Sequence, residues 1–384
     1  MQADRDSCEL LRAIIRRPAD EDIDTQRIHS LAAKVSDWDA LFHLAQEHRV
    51  LSMLFMRLAK VGPAVPLIVQ ERLQAEYHRN VFHNVANAAE LIDVLKTFDR
   101  ELIPAMPFKG VVLGTSVYHD HTARPAGDLD LLIHERHLTR ATNIILERGY
   151  ELKTAARADG TPVFADCYEY RFERPSDGMV LELRWRLELT QPRFRHNLGL
   201  DWVWPWRRTA ILAGAEVPDM SPEITLLVLC MHGSKHVWSR LSWICDVAQL
   251  LDAFPGLNWK EVMQEARRVG LWRALALGVL LAHRVAAAPV PQAVLQRFES
   301  DPAASSLAQH IQKNLFDAPG IPPIRGVPYN LQLLGFYDRV RLLLSLEFLR
   351  PNERDRAALS LPKSLHALYY VIRPFRIFFD RSAR

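Results

Sequence analysis

Two acids two positions apart carry the first chemical signal in the chain. Asp128 and Asp130 open the run Asp128-Leu129-Asp130-Leu131-Leu132-Ile133. On a strand, residues two apart leave the same face, so the two carboxylates point together. Buried like charges raise each other's pKa unless a cation sits between them. Hard oxygen donors of this kind suit Mg²⁺, which commonly takes one or two carboxylates plus substrate phosphates. The apolar run Leu131 to Ile133 anchors the strand in a sheet and would hold the pair rigidly. The plainer alternative is a salt-bridged strand end at the surface, because D-x-D alone is common.

Cations bracket this pair in sequence. Lys109-Gly110 precedes it and Arg124 lies four residues before Asp128. A turn at Gly110 opening a helix at Val111 presents free backbone N–H groups to an anion. A phosphate-bearing substrate with Mg²⁺ is the economical reading, with Lys109, Gly110 and Arg124 as phosphate-binding residues. Farther along, His232, Lys235 and His236 share one helix face by their i, i+3, i+4 spacing. That face reads either as a cationic surface closing over the triphosphate or base, or as a buried face with satisfied histidines. A zinc pair is disfavoured, since no acid intervenes and Lys235 would repel the metal.

The elements that must position these residues are legible from periodicity. Residues 1–100 read as helices: Cys8 to Ile15, a helix capped by Ser36, Val50 to Leu58, and Glu71 to Lys96 without Pro or Gly. Ile103 to Phe108 is a candidate strand, limited to an edge or an end by Pro104 and Pro107. Helix Val111 to Tyr118, strand Asp128 to His134, helix Leu138 to Arg148 and strand Tyr150 to Lys153 follow. Tyr168 to Glu173 and Met179 to Leu189 read as paired strands joined through Pro175-Ser176-Asp177-Gly178. Val180, Glu182, Arg184 and Arg186 alternate with Leu181, Leu183, Trp185 and Leu187, which gives one polar and one apolar face. Residues 191–220 read as a connector whose tryptophans 202, 204 and 206 either offer a base-stacking platform or pin it onto a core, the second being the reading taken.

Beyond it, Ser221-Pro222-Glu223 is a strong helix start, and Asn258 caps another. Helices Leu271 to Ala286, Gln292 to Phe298 and Leu331 to Leu349 are expected, with a turn-rich loop at 317–328. The expected layout is a helical region over 1–100, a catalytic core over 101–200 and a helical domain over 201–384. The fold class is therefore α+β, a small mixed sheet with flanking helices embedded between two helical regions.

Composition narrows the function classes. Hydrophobic content of 49% and charged content of 24% are those of a globular protein, and a net charge of +3 is too small to favour a nucleic-acid partner. The four cysteines are scattered and form no C-x-x-C, so a reducing compartment is favoured. The opening Met-Gln-Ala-Asp-Arg-Asp carries no basic n-region followed by an apolar stretch, so a cytoplasmic protein without a secretory signal is expected. The basic aromatic tail from Lys363 to Arg384 could lie on an anionic membrane surface. Pro374 interrupts its amphipathic pattern, so docking on the body is the reading taken. No P-loop, G-x-G-x-x-G, H-E-x-x-H or nucleophile elbow is present.

The pattern KG…Y…R-P-x-G-D-L-D-L-L, over Lys109 to Leu132, resembles the nucleotidyltransferases of the DNA polymerase β superfamily. It is most similar to the bacterial branch known as "nucleotidyltransferase family protein". The strings around Asp37 to Val50, around His232 to Asp246 and near the tail also resemble that branch, so the likeness spans most of the chain. The resemblance implies metal-dependent transfer of an NMP from an NTP to a hydroxyl-type acceptor, with release of pyrophosphate. It implies two Mg²⁺ ions, with Mn²⁺ as an alternative, held by Asp128, Asp130 and a third carboxylate on a later strand. Glu182 is the candidate for that third acid and for the general base, with Glu169 and Glu188 as fallbacks. The branch carries acid-x-His-Trp at this point, whereas this chain has Arg184 in place of the histidine, and Gly110-Val111 stands where the superfamily prefers Gly-Gly or Gly-Ser. The acceptor stays open among a sugar phosphate, an antibiotic, a peptide, tRNA and a protein side chain, with a small molecule or peptide favoured over a long nucleic acid by the small net charge. A non-catalytic nucleotide- or partner-binding protein and a kinase-like phosphotransferase are the alternatives.

Overall fold

In the computed structural model the described residues are 5–16, 21–154, 168–187, 198–316, 329, 332, 333, 359 and 361–370. Four helices come first: α1 (Arg5–Ile15), α2 (Glu21–Ala32), α3 (Trp38–Glu47) and α4 (Leu51–Leu58). Asp37, not Ser36, caps α3, its side chain accepting from Ala40 N at 2.9 Å. An acidic cap also favours the positive end of the helix dipole. The long α5 (Leu67–Arg100) extends the expected helix at both ends.

The central unit follows as β1 (Ala105–Pro107), α6 (Gly110–Tyr118), β2 (Leu129–Ile133), α7 (Leu138–Glu147), β3 (Glu151–Leu152), β4 (Glu169–Arg174) and β5 (Met179–Arg184). The strands form one sheet in the order β1-β2-β5-β4-β3. β1 lies at the edge, where Pro107 cannot interrupt an interior ladder. β2 and β5 are parallel neighbours, and the other pairings are antiparallel. Leu129, Leu131, Leu181 and Leu183 face a core that also holds Phe172 and Tyr170. The opposite face of β5 and β4 carries the charges, as the period-two pattern requires.

The segment read as a connector contains more structure than expected. After α8 (Leu200–Val203) come β6 (Arg207–Leu212) and β7 (Ala215–Met220), an antiparallel hairpin. Ala213 and Gly214 turn it, both at positive φ. Ala is an unusual residue at such a turn position, and this hid the hairpin from sequence reading. Hairpin and sheet meet through β1 and β7.

The remaining helices are α9 (Pro222–Lys235), α10 (Leu241–Ala253), α11 (Trp259–Arg268), α12 (Trp272–Ala286), α13 (Gln292–Glu299) and α14 (Pro302–Asn314). Ser221 and Asn258 cap α9 and α11 as expected, accepting from Ile224 N and Glu261 N. The helical pattern does not run on through residue 240: Val237 and Trp238 both take positive φ and break it. Trp238, fully buried, lies against Gly233 of α9 and Gly278 of α12; a Cβ at Gly233 would meet its ring at 2.5 Å. This wedge fixes the turn from which Arg240 and α10 emerge. The helices before and after the sheet share one core, in which Leu10, Ile14 and Leu41 join Leu227, Leu277 and Leu281.

The expected loop at 317–328, most of the expected helix at 331–349, Glu188 and the tail beyond residue 370 lie outside the described residues. Within the described part of the tail, Tyr369 is buried, and its hydroxyl donates to Leu359 O at 2.7 Å. Among the described residues no helix is long and apolar enough to cross a membrane.

Candidate functional site

A cleft of about 490 Å³ opens between the charged face of the sheet and the α9–α10 turn. All nine residues singled out as a catalytic or phosphate-binding set line it: Lys109, Gly110, Arg124, Asp128, Asp130, Glu182, His232, Lys235 and His236. Arg49, Glu169, Arg184, Arg240 and Trp243 line it as well.

Strand register brings the acids together. Asp130 on β2 pairs directly with Glu182 on β5, which pairs in turn with Arg171 on β4. Two residues along, Leu132, Arg184 and Glu169 stand opposite one another. Asp128 sits just before β2, not within it as expected. Its pKa is raised, first by burial and then by the Asp130 charge, while Lys109, Arg49 and Arg124 pull it down. Glu182 is likewise raised, by burial and Asp130, with Arg184 opposing. A cation beside Asp128 and Glu182 would offset the burial and like charge that raise both.

The Lys109-Gly110 turn is strained. Lys109 takes φ 64, ψ −147, a region that side chains other than glycine rarely enter. Gly110 follows at φ +51, and a Cβ there would meet Asp128 O at 3.4 Å. The turn therefore closes tightly over the start of β2 and opens α6. Lys109 Nζ reaches Asp130 Oδ2 at 3.1 Å. An ammonium, an acid and a helix N-terminus thus share one corner, where a phosphate chain would find both charge and backbone donors.

The loop before Asp128 is clamped from α5. Asn84 Nδ2 donates to His121 O at 2.8 Å and Arg124 O at 2.7 Å, and its Oδ1 accepts from Ala126 N. Asn87 Nδ2 donates to Ala126 O at 2.9 Å, and Asn80 Nδ2 to Thr122 O at 2.8 Å. Amides at i, i+4 and i+7, the last two buried, form one polar stripe on a helix. That spacing was readable in the sequence and went unread.

Arg124 lines the cleft, but its guanidinium is engaged within the protein. Nε and Nη2 donate to Asp246 at 2.7 and 2.9 Å, and Nη1 donates to Pro125 O at 3.3 Å. Tyr118 donates to the same Asp246 at 2.8 Å. This buried fork ties α10 to the loop that carries Asp128.

On the helix side, His236 stacks on Trp243 at 5.0 Å, and His232 meets both rings edge-on. Arg240 lies over the Trp243 ring at 5.4 Å. Burial, then the nearby lysines and arginines, drop His236 to about 4 and push His232 well below its ordinary value. Both rings are neutral at pH 7, so the positive charge of this face comes from Lys235 and Arg240. The string from Asp37 to Val50, assigned to packing, divides: His48 is buried and accepts from Leu241 N at 3.2 Å, whereas Arg49, at φ 55, lines the cleft. Sequence reading missed Arg49 because nothing local marks a residue that reaches the site from the distant turn between α3 and α4.

Among the described residues no three of His, Cys, Asp or Glu are drawn into one metal shell. Asp130 Oδ1 is nonetheless buried without a hydrogen-bond partner, beside the raised carboxyl of Asp128. Hard oxygens, mutual repulsion and a buried carboxylate oxygen that no hydrogen bond fills fit a divalent cation at Asp128 and Asp130. Glu182 is already engaged by Arg171 at 3.5 Å and by Arg184.

Residues 34–287 match the family described as uncharacterised nucleotidyltransferase. Among solved structures, the chain is similar to an antigenic nucleotidyltransferase-like protein from Paracoccidioides brasiliensis. That likeness has 18% identity over 49% of this chain and 91% of the other, with a TM-score of 0.30. No curated protein matches the chain.

Proposed function

Because the chain belongs to the uncharacterised nucleotidyltransferase family, we propose that it moves an NMP from an NTP to a hydroxyl-type acceptor and releases pyrophosphate. The observation that carries this reading is the register of Asp130 against Glu182, beside Asp128 and the strained Lys109-Gly110 turn. The bacterial branch of the polymerase β superfamily remains the family reading that the D-x-D region favours.

Lys109 and the first turn of α6 bind the triphosphate. Asp128 and Asp130 would hold Mg²⁺, with Mn²⁺ as the alternative, and the ion when bound would polarise the phosphoryl oxygens and neutralise the leaving pyrophosphate. The acceptor oxygen forms a bond to the α-phosphorus as the bond to the β-phosphate oxygen breaks. Glu182 takes the hydroxyl proton, a task for which a raised carboxylate pKa is suited. Trp243 and His236 offer the base an aromatic platform, while Arg49 and Arg240 add positive charge at the cleft wall. The acceptor is a small molecule or a peptide, and the cytoplasm is the compartment that fits the cysteine pattern.

One observation favours a second reading. Arg184 contacts Asp130 and Glu182, as it would in a nucleotide-binding protein that has given up catalysis. Calorimetric titration with each of the four NTPs and Mg²⁺, followed by pyrophosphate release over acceptor pools, separates the two. Transfer predicts release and a product heavier by a nucleoside monophosphate. A product heavier by one phosphate would make the protein a kinase, and binding without release on any pool would favour the second reading.

A further inference from the structure

Arg184 is the side chain at which this site departs from a plain cluster of acids. It stands two residues beyond Glu182 on β5 and so leaves the same face of the sheet. Its guanidinium spans three carboxylates: Nε lies 3.4 Å from Asp130 Oδ1, Nη1 contacts Glu169 and Nη2 contacts Glu182. The side chain is 15% exposed and its acid on β2 only 1%. Arginine keeps its charge at any working pH, and its rigid fork fixes where that charge sits.

We propose that Arg184 is a built-in positive charge standing in for one of two divalent ions, so that this cleft takes a single ion, at Asp128 and Asp130. The inference rests on the nucleotidyl-transfer reading only for the presence of a divalent ion. A second ion needs Asp130 together with a third acid. The third acid, Glu182, is held by Arg184 and by Arg171 at 3.5 Å, and the fallback acid Glu169 is held by Arg184 too. Asp130 Oδ1, by contrast, has no hydrogen bond despite lying near Arg184 Nε, which likewise has none. That oxygen is what one ion, shared with Asp128, would complete. Glu169 then acts as a positioning residue for Arg184, while Glu182, holding no ion, keeps its task as the base.

The test counts ions with the full chain and Mn²⁺ alone, reading free Mn²⁺ by electron paramagnetic resonance. Wild type should saturate at one Mn²⁺ per chain, and Asp130→Asn should lose it. Arg184→Met should admit a second ion, whereas Arg184→Lys, which keeps the charge, should stay at one. Circular dichroism checks that each variant is folded; if Arg184→Met does not fold, the wild-type and Arg184→Lys counts still decide. Two ions on the wild type, two on Arg184→Lys, or one on a folded Arg184→Met would overturn the inference and leave nucleotidyl transfer standing. No Mn²⁺ on the wild type at any concentration would overturn both the inference and the metal-dependent reading.

Discussion

On the sheet side of the cleft, Asp128, Asp130, Glu182 and Glu169 are met by Lys109 and Arg184 across neighbouring strands. On the helix side, His232, His236 and Trp243 pack ring against ring, and the histidines carry no charge at pH 7. The first wall consists of fixed charges whose spacing is set by strand register. The second consists of neutral flat rings, with Lys235 and Arg240 as its charges, on helices that part at the Trp238 wedge. On the proposed function the difference implies a division of labour: the sheet would handle phosphate and metal chemistry, and the helices recognition. A substitution on the sheet side should therefore strike turnover, and one on the helix side should strike binding.

The largest effect is expected at Asp128→Asn. Pyrophosphate release should fall by about 10²–10³-fold or more, the scale of losing one preorganised electrostatic partner, while the thermal melt shows a folded protein. Near-normal release would end the assignment of chemistry to the sheet side.

The helix side has its own pH signature. His48 ties the end of α3 to the start of α10, and burial, then Arg240, holds it at about 4 against an ordinary 6.5. Between those values the unfolded chain binds the proton and the folded chain does not. Stability is therefore fully present above about pH 6.5 and is lost as pH falls toward 4, by roughly 3 kcal/mol for this residue. His232 and His236, also lowered, add to the loss in the same direction. Denaturant titrations across that window should show a shallower slope for His48→Asn, whose amide oxygen can still accept from Leu241 N.

Asn84→Ala removes an amide that serves three backbone groups of the loop before Asp128. A cost of about 2 kcal/mol in stability is expected, since buried groups left unpaired lose their desolvation energy without return. A fall in turnover larger than the fall in nucleotide affinity should accompany it, because the loop places Asp128. Equal falls in both would blur the proposed division. The smallest effect is expected at Trp243→Ala: nucleotide binding weaker by about 1 kcal/mol, the low end for one stacked base, with turnover at saturation unchanged. Calorimetry alongside steady-state rates measures both.

How far the site could be read from sequence follows from which interactions are local. The alternation of Glu182 and Arg184 with Leu181 and Leu183 named the strand and its two faces, and Asp128-Leu129-Asp130 named the pair it had to meet. Ser221 and Asn258 announced their helices through their own side chains. The β6–β7 hairpin stayed hidden because Ala213 takes a left-handed conformation that nothing in its type suggests. The asparagine stripe of α5 acts on a loop some forty residues away, and Arg49 reaches the cleft from the turn between α3 and α4. What Arg184 touches depends on strand pairing that its own segment cannot specify. The change from histidine to arginine was visible, but its consequence was not.

The most direct measurement is a crystal grown with Mn²⁺ and non-hydrolysable α,β-methylene analogues of the four NTPs. The account predicts anomalous density for Mn²⁺ about 2 Å from oxygens of Asp128 and Asp130, with the phosphate chain against Lys109 and Gly110 and the base at Trp243. A nucleotide bound elsewhere, or a filled cleft with no ion on either aspartate, would contradict it.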